Sequence, residues 1–160
     1  MPKIKNPYVN REGYNCFGCC PTNPTGLQME FLLEGDEVVS NWHPSEAFQG
    51  WNNILHGGIQ ATLMDEIGSW FAIIEGKTSG VTSSLNIRYK KPVPTDKGAI
   101  KLIARHKETR RNLMTVDIQL FAPDGQLCSE AVATYFMLHP KIAKEQFLYP
   151  GVDAFLPDKS

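Results

Sequence analysis

The chain has 160 residues, of which 42% are hydrophobic and 21% charged, and its formal net charge is −1. This length suits one domain with one core, and the composition is ordinary for a globular protein. The small charge gives no bulk attraction to nucleic acid or membranes, and no apolar run is long enough for a transmembrane helix. The first residues lack the hydrophobic region of a signal peptide, so we expect a cytoplasmic protein with reduced cysteines.

Residues 1–26 are rich in proline, asparagine and glycine and show no periodicity, so we predict an irregular arm lying over the domain. Within the arm, Cys16 and Cys19 have a CxxC spacing, and Cys20 follows directly. A zinc site needs a second pair of ligands, and beyond Cys20 the sequence offers only the distant Cys128 and scattered histidines. A redox CxxC needs a helix, which the two prolines that follow oppose. We therefore predict a packed turn and no metal or cofactor.

Two short strands are predicted next, over residues 27–33 and 37–42, because a Glu-Gly-Asp turn typical of a hairpin separates them. A loop over residues 45–55 follows and carries aromatic and amide side chains. These side chains either cover a pocket or anchor the loop to the core.

A helix over residues 56–75 is the central element of the pattern. At ~100° per residue, one face carries small side chains with a single charge, and the opposite face is a continuous apolar stripe. The small face consists of Gly58, Ala61, Thr62, Asp65, Ser69 and Ala72, and the apolar face of Ile59, Leu63, Ile67, Trp70, Phe71 and Ile74. Such a helix packs on both sides. Its carboxylate, Asp65, is then either a functional group or a hydrogen-bonded buried acid.

His56, Gly57 and Gly58 open this helix. Backbone N–H groups at a helix N-terminus are exposed, and the helix dipole stabilises a polarised oxygen there. The three residues therefore predict either an oxygen-binding site or a plain loop-to-helix junction in which His56 is a capping residue.

Four further strands are predicted after the helix, over residues 81–89, 99–106, 113–121 and 127–138. In the first of these, strict alternation places Val81, Ser83, Leu85, Ile87 and Tyr89 on one side and Thr82, Ser84, Asn86 and Arg88 on the other. Short turns make these strands antiparallel neighbours, and only the helix can cover the sheet. We predict an α+β fold over residues 27–140, a curved antiparallel sheet around one long helix, with a helical or irregular tail over residues 141–160. The open sheet face and edges remain available to a partner subunit.

This arrangement resembles the hotdog-fold acyl-CoA thioesterases of the PaaI-like group. The resemblance covers most of the chain and rests on four segments: CFGCCPTNPTGL at residues 16–27, FQGW at 48–51, HGGIQATLMDE at 56–66 and VTSSLNIRYKKPVP at 81–94. The first and last segments are most similar to the branch that includes mitochondrial proteins acting on long-chain acyl-CoA. The HGG motif alone is weak, whereas HGG with the helix acid and the following strand pattern is fairly specific.

The resemblance implies that the Gly57 N–H binds the thioester carbonyl and that His56 shapes this site. It implies that Asp65 is the catalytic helix acid and that Thr82 supplies a hydroxyl beside it. Family members build their sites at a homodimer interface, so the acid of one chain serves the oxygen site of the other, and two dimers can form a homotetramer.

The expected substrate contacts are Gly58, Asn53, Arg88, Lys90 and Lys91. Many relatives have an asparagine six residues before the histidine, where this chain has a glycine, and Asn53 is a near neighbour of that position. The basic residues either hold phosphates of coenzyme A or form a solvated edge that discourages aggregation.

The expected reaction is hydrolysis of an acyl-CoA to a free acid and coenzyme A. Asp65 acts as a general base on water or attacks to form an anhydride, and the sequence does not separate these roles. One alternative is a hotdog hydratase or dehydratase that pairs His43 with Asp65 or Glu66, although the Gly-His-Phe-Pro signature of that branch is absent. A second alternative is a non-catalytic acyl-CoA-binding protein.

Overall fold

A six-stranded sheet and one long helix form the body of the protein in a computed structural model, which describes residues 1–159. The elements are β1 (Leu32–Glu34), β2 (Glu37–Trp42), α1 (Gly57–Gly76), β3 (Gly80–Tyr89), β4 (Ile100–Arg110), β5 (Leu113–Phe121), β6 (Leu127–Met137) and α2 (Pro140–Phe147). Short 3-10 turns occur at Glu46–Phe48 and Val152–Ala154. None of the helices within residues 1–159 has the length and apolarity needed to cross a membrane.

All neighbouring strands are antiparallel, in the order β1-β2-β4-β5-β6-β3. Helix α1 packs against this sheet, and Leu63, Met64 and Ile67 are completely buried between them. Burial of each such side chain contributes ~1.5–3 kcal/mol. This curled sheet around a single long helix is the predicted hotdog fold, and the prediction is confirmed. Strand β3 ends the order, so one of its edges pairs with no strand of the described chain.

Helix α1 begins one residue after His56, its N-cap, and is followed by Lys77 in the left-handed conformation. The predicted helix was therefore displaced by only one residue at each end. The apolar stripe is less complete than predicted, because Ile59 and Ile74 are only partly buried while Gln60 is buried.

The predicted strand over residues 27–33 is largely wrong, since β1 contains only Leu32–Glu34. The backbone N–H of Leu27 donates to the Phe17 carbonyl at 2.7 Å and that of Met29 to the Gly18 carbonyl at 2.9 Å. Gln28 between them has a φ of 52°. Because these donors bind the arm and Gln28 is not extended, this segment cannot continue the sheet.

The strict alternation predicted for β3 is also wrong at its first residues. Thr82 pairs with Tyr135, whereas Ser84 pairs with the adjacent Thr134, so Ser83 is the extra residue of a β-bulge. A one-residue shift moves the preceding side chains to the opposite face. Thr82 consequently lies on the helix side together with Leu85, instead of on the outer face.

The arm and the tail both contribute to the core. Ile4, Cys19 and Cys20 of the arm are buried. Phe155 of the tail is fully buried and packs edge-on against Trp70 of α1, with 5.6 Å between ring centroids. Helix α1 is therefore covered by the sheet on one side and by the two chain ends on the other.

Candidate active site

The N-terminus of α1 presents one backbone donor without an internal partner. The Nδ1 atom of His56 accepts the Gly58 N–H at 2.9 Å. The His56 carbonyl accepts the N–H groups of Ile59 and Gln60, each at 3.0 Å. Within residues 1–159, the Gly57 N–H donates to no acceptor. Among the first N–H groups of the helix, the Gly57 N–H is therefore the one available to bind an oxygen from outside the chain.

His56 is the capping residue of this helix, which was one of the two interpretations of the sequence. Because its Nδ1 accepts a hydrogen bond, the neutral imidazole carries its proton on Nε2. Gly58 allows the ring to approach, since a Cβ there would lie 3.1 Å from Nδ1. Gly50 packs behind the histidine, where a Cβ would lie 3.4 Å from the His56 Cα. The cap therefore fixes the conformation from which the Gly57 N–H points outward.

Tyr89, at the end of β3, lies against the same helix terminus. Its hydroxyl donates to the Gly57 carbonyl at 2.7 Å, and 53% of the residue is exposed. The sequence identified Tyr89 only as a strand residue. Its position at the end of the helix-facing side of β3 is the signal that would have indicated this contact.

Two hydroxyl groups hold the carboxylate of Asp65. The Thr82 hydroxyl donates to Oδ1 at 3.0 Å. The Tyr135 hydroxyl shares its one proton between the Asp65 carbonyl at 2.9 Å and Oδ1 at 3.2 Å. The second oxygen, Oδ2, receives only a longer contact of 3.3 Å from Thr82. The structure thus brings together the predicted pair of Asp65 and Thr82, and it leaves Oδ2 as the oxygen more available to a water molecule.

Tyr135 is a residue of this site that the sequence did not identify. Its side chain is fully buried, and burial together with the neighbouring Asp65 carboxylate raises the pKa of its hydroxyl far above the ordinary value. It therefore remains a hydrogen-bond donor. Gly68 makes room for it, because a Cβ at Gly68 would lie 2.3 Å from the Tyr135 oxygen.

The two parts of the site are separated along the helix. Asp65 lies eight positions after Gly57, which corresponds to ~12 Å of rise. A reacting carbonyl and its water need to lie within ~3 Å of the groups that act on them. One thioester cannot meet both groups of the same chain.

Asn53 lies outside both parts of the site. It is exposed with a φ of 60°, and its carbonyl accepts the Thr95 N–H at 3.0 Å. This geometry gives it a role in the turn before α1, and its contact with a substrate stays a prediction.

The three predicted basic residues also make no hydrogen bond to Gly57 or Asp65 in the described chain. Arg88 is exposed on the outer face of the sheet. Lys90 forms an ion pair with Glu130 at 3.0 Å, and Lys91 donates to Gln126 at 3.4 Å. These contacts are those of a solvated edge, and a phosphate-binding role remains a prediction.

The pairs required by the hydratase alternative do not form in the described residues. Glu66 accepts the Trp70 indole N–H at 3.1 Å and faces the arm, one residue after Asp65 but on another side of the helix. His43 is exposed and makes no hydrogen bond to either acid within residues 1–159.

The family model described as thioesterase superfamily matches residues 52–129. The chain is similar to the thioesterase superfamily over this stretch, which is just under half of its length. The matched stretch includes Gly57, Asp65 and Thr82. It ends before Tyr135, which the match therefore does not cover.

Individual members of the thioesterase superfamily are also similar to this chain. The acyl-coenzyme A thioesterase THEM4 of Mus musculus is 31% identical over 121 residues, which are 72% of this chain and 51% of that protein. The chain thus spans about half the length of this relative.

Two crystal structures show the same fold. A thioesterase superfamily protein superposes with a TM-score of 0.70 at 22% identity, over 76% of this chain and 62% of that chain. A hypothetical thioesterase protein of Streptococcus pneumoniae TIGR4, crystallised with coenzyme A, has a TM-score of 0.60 at 22% identity, over 65% of this chain and 82% of that chain.

Proposed function

We propose that the protein is an acyl-CoA thioesterase that hydrolyses an acyl-CoA to a free acid and coenzyme A. The observation that carries the proposal is the Gly57 N–H, which lacks an internal acceptor at a capped helix N-terminus. The mouse acyl-coenzyme A thioesterase and the coenzyme A in the Streptococcus pneumoniae structure support this class of substrate.

In this reaction the thioester carbonyl accepts a hydrogen bond from the Gly57 N–H. Negative charge grows on that oxygen in the transition state, where one such donor typically contributes ~3–4 kcal/mol. Asp65 removes a proton from water, the water oxygen bonds to the carbonyl carbon, and the carbon–sulfur bond breaks. The thiolate leaves and takes up a proton as coenzyme A. Asp65 can instead attack the carbonyl itself, in which case water cleaves the resulting anhydride.

In this proposal Thr82 and Tyr135 affect the reaction by orienting the Asp65 carboxylate. Their hydroxyls occupy Oδ1, so that the carboxylate is fixed in one orientation with Oδ2 directed to the reacting water. Neither hydroxyl contacts the substrate in this proposal, and both are positioning residues.

We further propose a homodimer in which Gly57 of one chain and Asp65 of the other form each site. The ~12 Å between these residues along one helix supports this arrangement. The free edge of β3, with Val81 42% exposed, is a surface through which two sheets can join. Association of two such dimers would give a tetramer. Gly58, Asn53 and the basic residues Arg88, Lys90 and Lys91 then remain the proposed contacts to coenzyme A. The free state of all four cysteines is compatible with a cytoplasmic location.

A panel of short, long and aromatic acyl-CoAs, assayed for release of free thiol, tests the reaction and identifies the acyl group. Asp65→Asn should abolish turnover without unfolding the protein, because the two side chains have similar shapes. Asp117→Asn is the matched control, since Asp117 is paired with Lys107 on the outer face of the sheet. Binding without thiol release would favour the non-catalytic alternative, and addition of water to an enoyl-CoA would favour the hydratase. Wild-type turnover by Asp65→Asn would remove Asp65 from the mechanism.

Complementation tests whether the site is shared. Two inactive variants, Asp65→Asn and Gly57→Pro, are unfolded together in equal amounts and refolded. Random pairing in a twofold dimer makes half of the dimers mixed, each with one intact site, so that about a quarter of wild-type activity returns. If each chain held a complete site, the mixture would stay as inactive as its components.

A further inference from the structure

A cluster of two sulfurs and a carboxylate lies between the arm and α1. Cys16, Cys19 and Glu66 each offer one ligand atom, and these three atoms lie within 4.8 Å of one another. The Cys16 sulfur is 3.5 Å from the Glu66 Oε1 atom. The sequence did not indicate Glu66 as a ligand, because it lies fifty positions after Cys16 and only the fold brings the two residues together.

Neighbouring residues hold the two cysteines and the carboxylate close together. A Cβ at Gly18 would lie 2.5 Å from the Glu66 Cδ, so only glycine lets the turn between the cysteines approach the carboxylate. The Trp70 indole N–H donates to Glu66 Oε1 at 3.1 Å and fixes the carboxylate. Hydrogen bonds of this kind orient the ligands in metal sites.

The charge of this cluster is not balanced by the protein. Glu66 is only partly exposed, and it forms no ion pair with any lysine, arginine or histidine of residues 1–159. A bound cation would neutralise the carboxylate and permit both thiols to ionise.

We propose that Cys16, Cys19 and Glu66 bind a zinc ion. Two sulfurs and one carboxylate suit zinc better than the harder magnesium and calcium ions. Three protein ligands leave a fourth tetrahedral position for a water molecule. Water reaches the cluster beside the partly exposed Cys16. On binding, the zinc–sulfur bonds form as both thiols release their protons to solvent. The ion ties the arm to α1, and no step of thioester hydrolysis involves it.

The metal content of the full-length wild-type chain tests the proposal directly. Protein purified without chelator, after removal of any affinity tag, should contain about one zinc per chain by elemental analysis. Apoprotein titrated with cobalt(II) chloride should develop thiolate-to-cobalt charge-transfer bands and the intense ligand-field bands of a tetrahedral site. Addition of zinc chloride should remove these bands.

Variants then identify the ligands. Cys16→Ser and Glu66→Gln should each lower zinc affinity by at least about tenfold. Cys20→Ser is the matched control, because the Cys20 sulfur is turned away, 3.4 Å from the Thr22 hydroxyl. Equal loss of zinc in Cys20→Ser and Cys16→Ser would overturn the assignment.

The wild-type chain gives a result even if a variant fails to fold. Absence of zinc from the purified protein, together with a featureless cobalt titration, would refute the site. So would a Cys16–Cys19 disulfide found by mass spectrometry in metal-free protein purified from the cytoplasm. None of these measurements depends on thioesterase activity.

Discussion

Replacing Gly57 with proline would remove one N–H group and leave the rest of the helix start in place. Gly57 is the first residue of α1, where proline is favoured because its N–H is not needed inside the helix. His56 before it has a φ of −59° and a ψ of 135°, a conformation that a residue preceding proline adopts readily. The substitution therefore removes the Gly57 N–H, which is the proposed oxyanion donor, and leaves the helix start otherwise unchanged.

The expected effects on stability and on rate differ widely. The Gly57 N–H has no acceptor within residues 1–159, so its loss breaks no internal hydrogen bond. A Cβ at this position would lie 3.6 Å from the Tyr89 ring, which is an ordinary contact. The free energy of unfolding should change by no more than ~0.5 kcal/mol. In contrast, kcat should fall ~10²–10³-fold, which corresponds to ~3–4 kcal/mol of transition-state stabilisation.

Steady-state release of coenzyme A thiol, measured beside thermal unfolding, checks both expectations. Gly57→Ala is the matched control, since it adds a Cβ at the same position but keeps the N–H, and its kcat should stay within a few-fold of wild type. A folded Gly57→Pro enzyme with wild-type kcat would show that this N–H does not stabilise the oxyanion. Equal losses in the proline and alanine variants would assign the effect to the added carbon instead.

Three further tests concern the residues that hold Asp65 in place. Tyr135→Phe removes the hydroxyl proton that Asp65 accepts through its carbonyl and Oδ1, and should cost ~1.5–3 kcal/mol in urea unfolding. Tyr149→Phe removes a buried hydroxyl that has no partner within residues 1–159 and should be neutral or stabilising. Equal losses in the two variants would contradict this account. Thr82→Val should lower kcat about tenfold and Thr82→Ser should not, because only valine removes the donor to Asp65. Gly68→Ala should lower the melting temperature, because the new Cβ would lie 2.3 Å from the Tyr135 oxygen. This clash should outweigh the gain of ~1 kcal/mol in helix propensity. A higher melting temperature would refute the close packing of Tyr135 against Gly68.

The helix and the later strands were predictable because their signals are local. The apolar stripe of α1 repeats over the 20 residues of the helix, and β5 was predicted with its observed bounds, Leu113–Phe121. The start of the helix could also be predicted, since the HGG sequence lies directly at it. Its role as an oxygen site stays a prediction. Local periodicity thus located Gly57 and Asp65 on one helix.

The remaining features depend on contacts between distant parts of the chain. The bulge at Ser83 changes which face Thr82 occupies, and no residue pattern within β3 predicts it. The contact of Tyr135 with Asp65 joins residues 70 positions apart. Alternation in β6 would have placed Tyr135 on a buried face, but the hydroxyl finds an acceptor only because Gly68 is on the facing helix turn.

Asp65 and Glu66 are neighbours in the chain but point ~100° apart around α1, and different parts of the protein hold each of them. Tyr135 and Thr82 of the sheet hold Asp65, whereas Trp70 and the arm, through Cys16, hold Glu66. Because a helical turn is stiff, a contact that fixes Glu66 also limits rotation of the turn that carries Asp65. A catalytic carboxylate needs to be placed within ~0.5 Å of its productive position. We therefore expect the arm to limit movement of Asp65, the proposed catalytic acid, without contacting it.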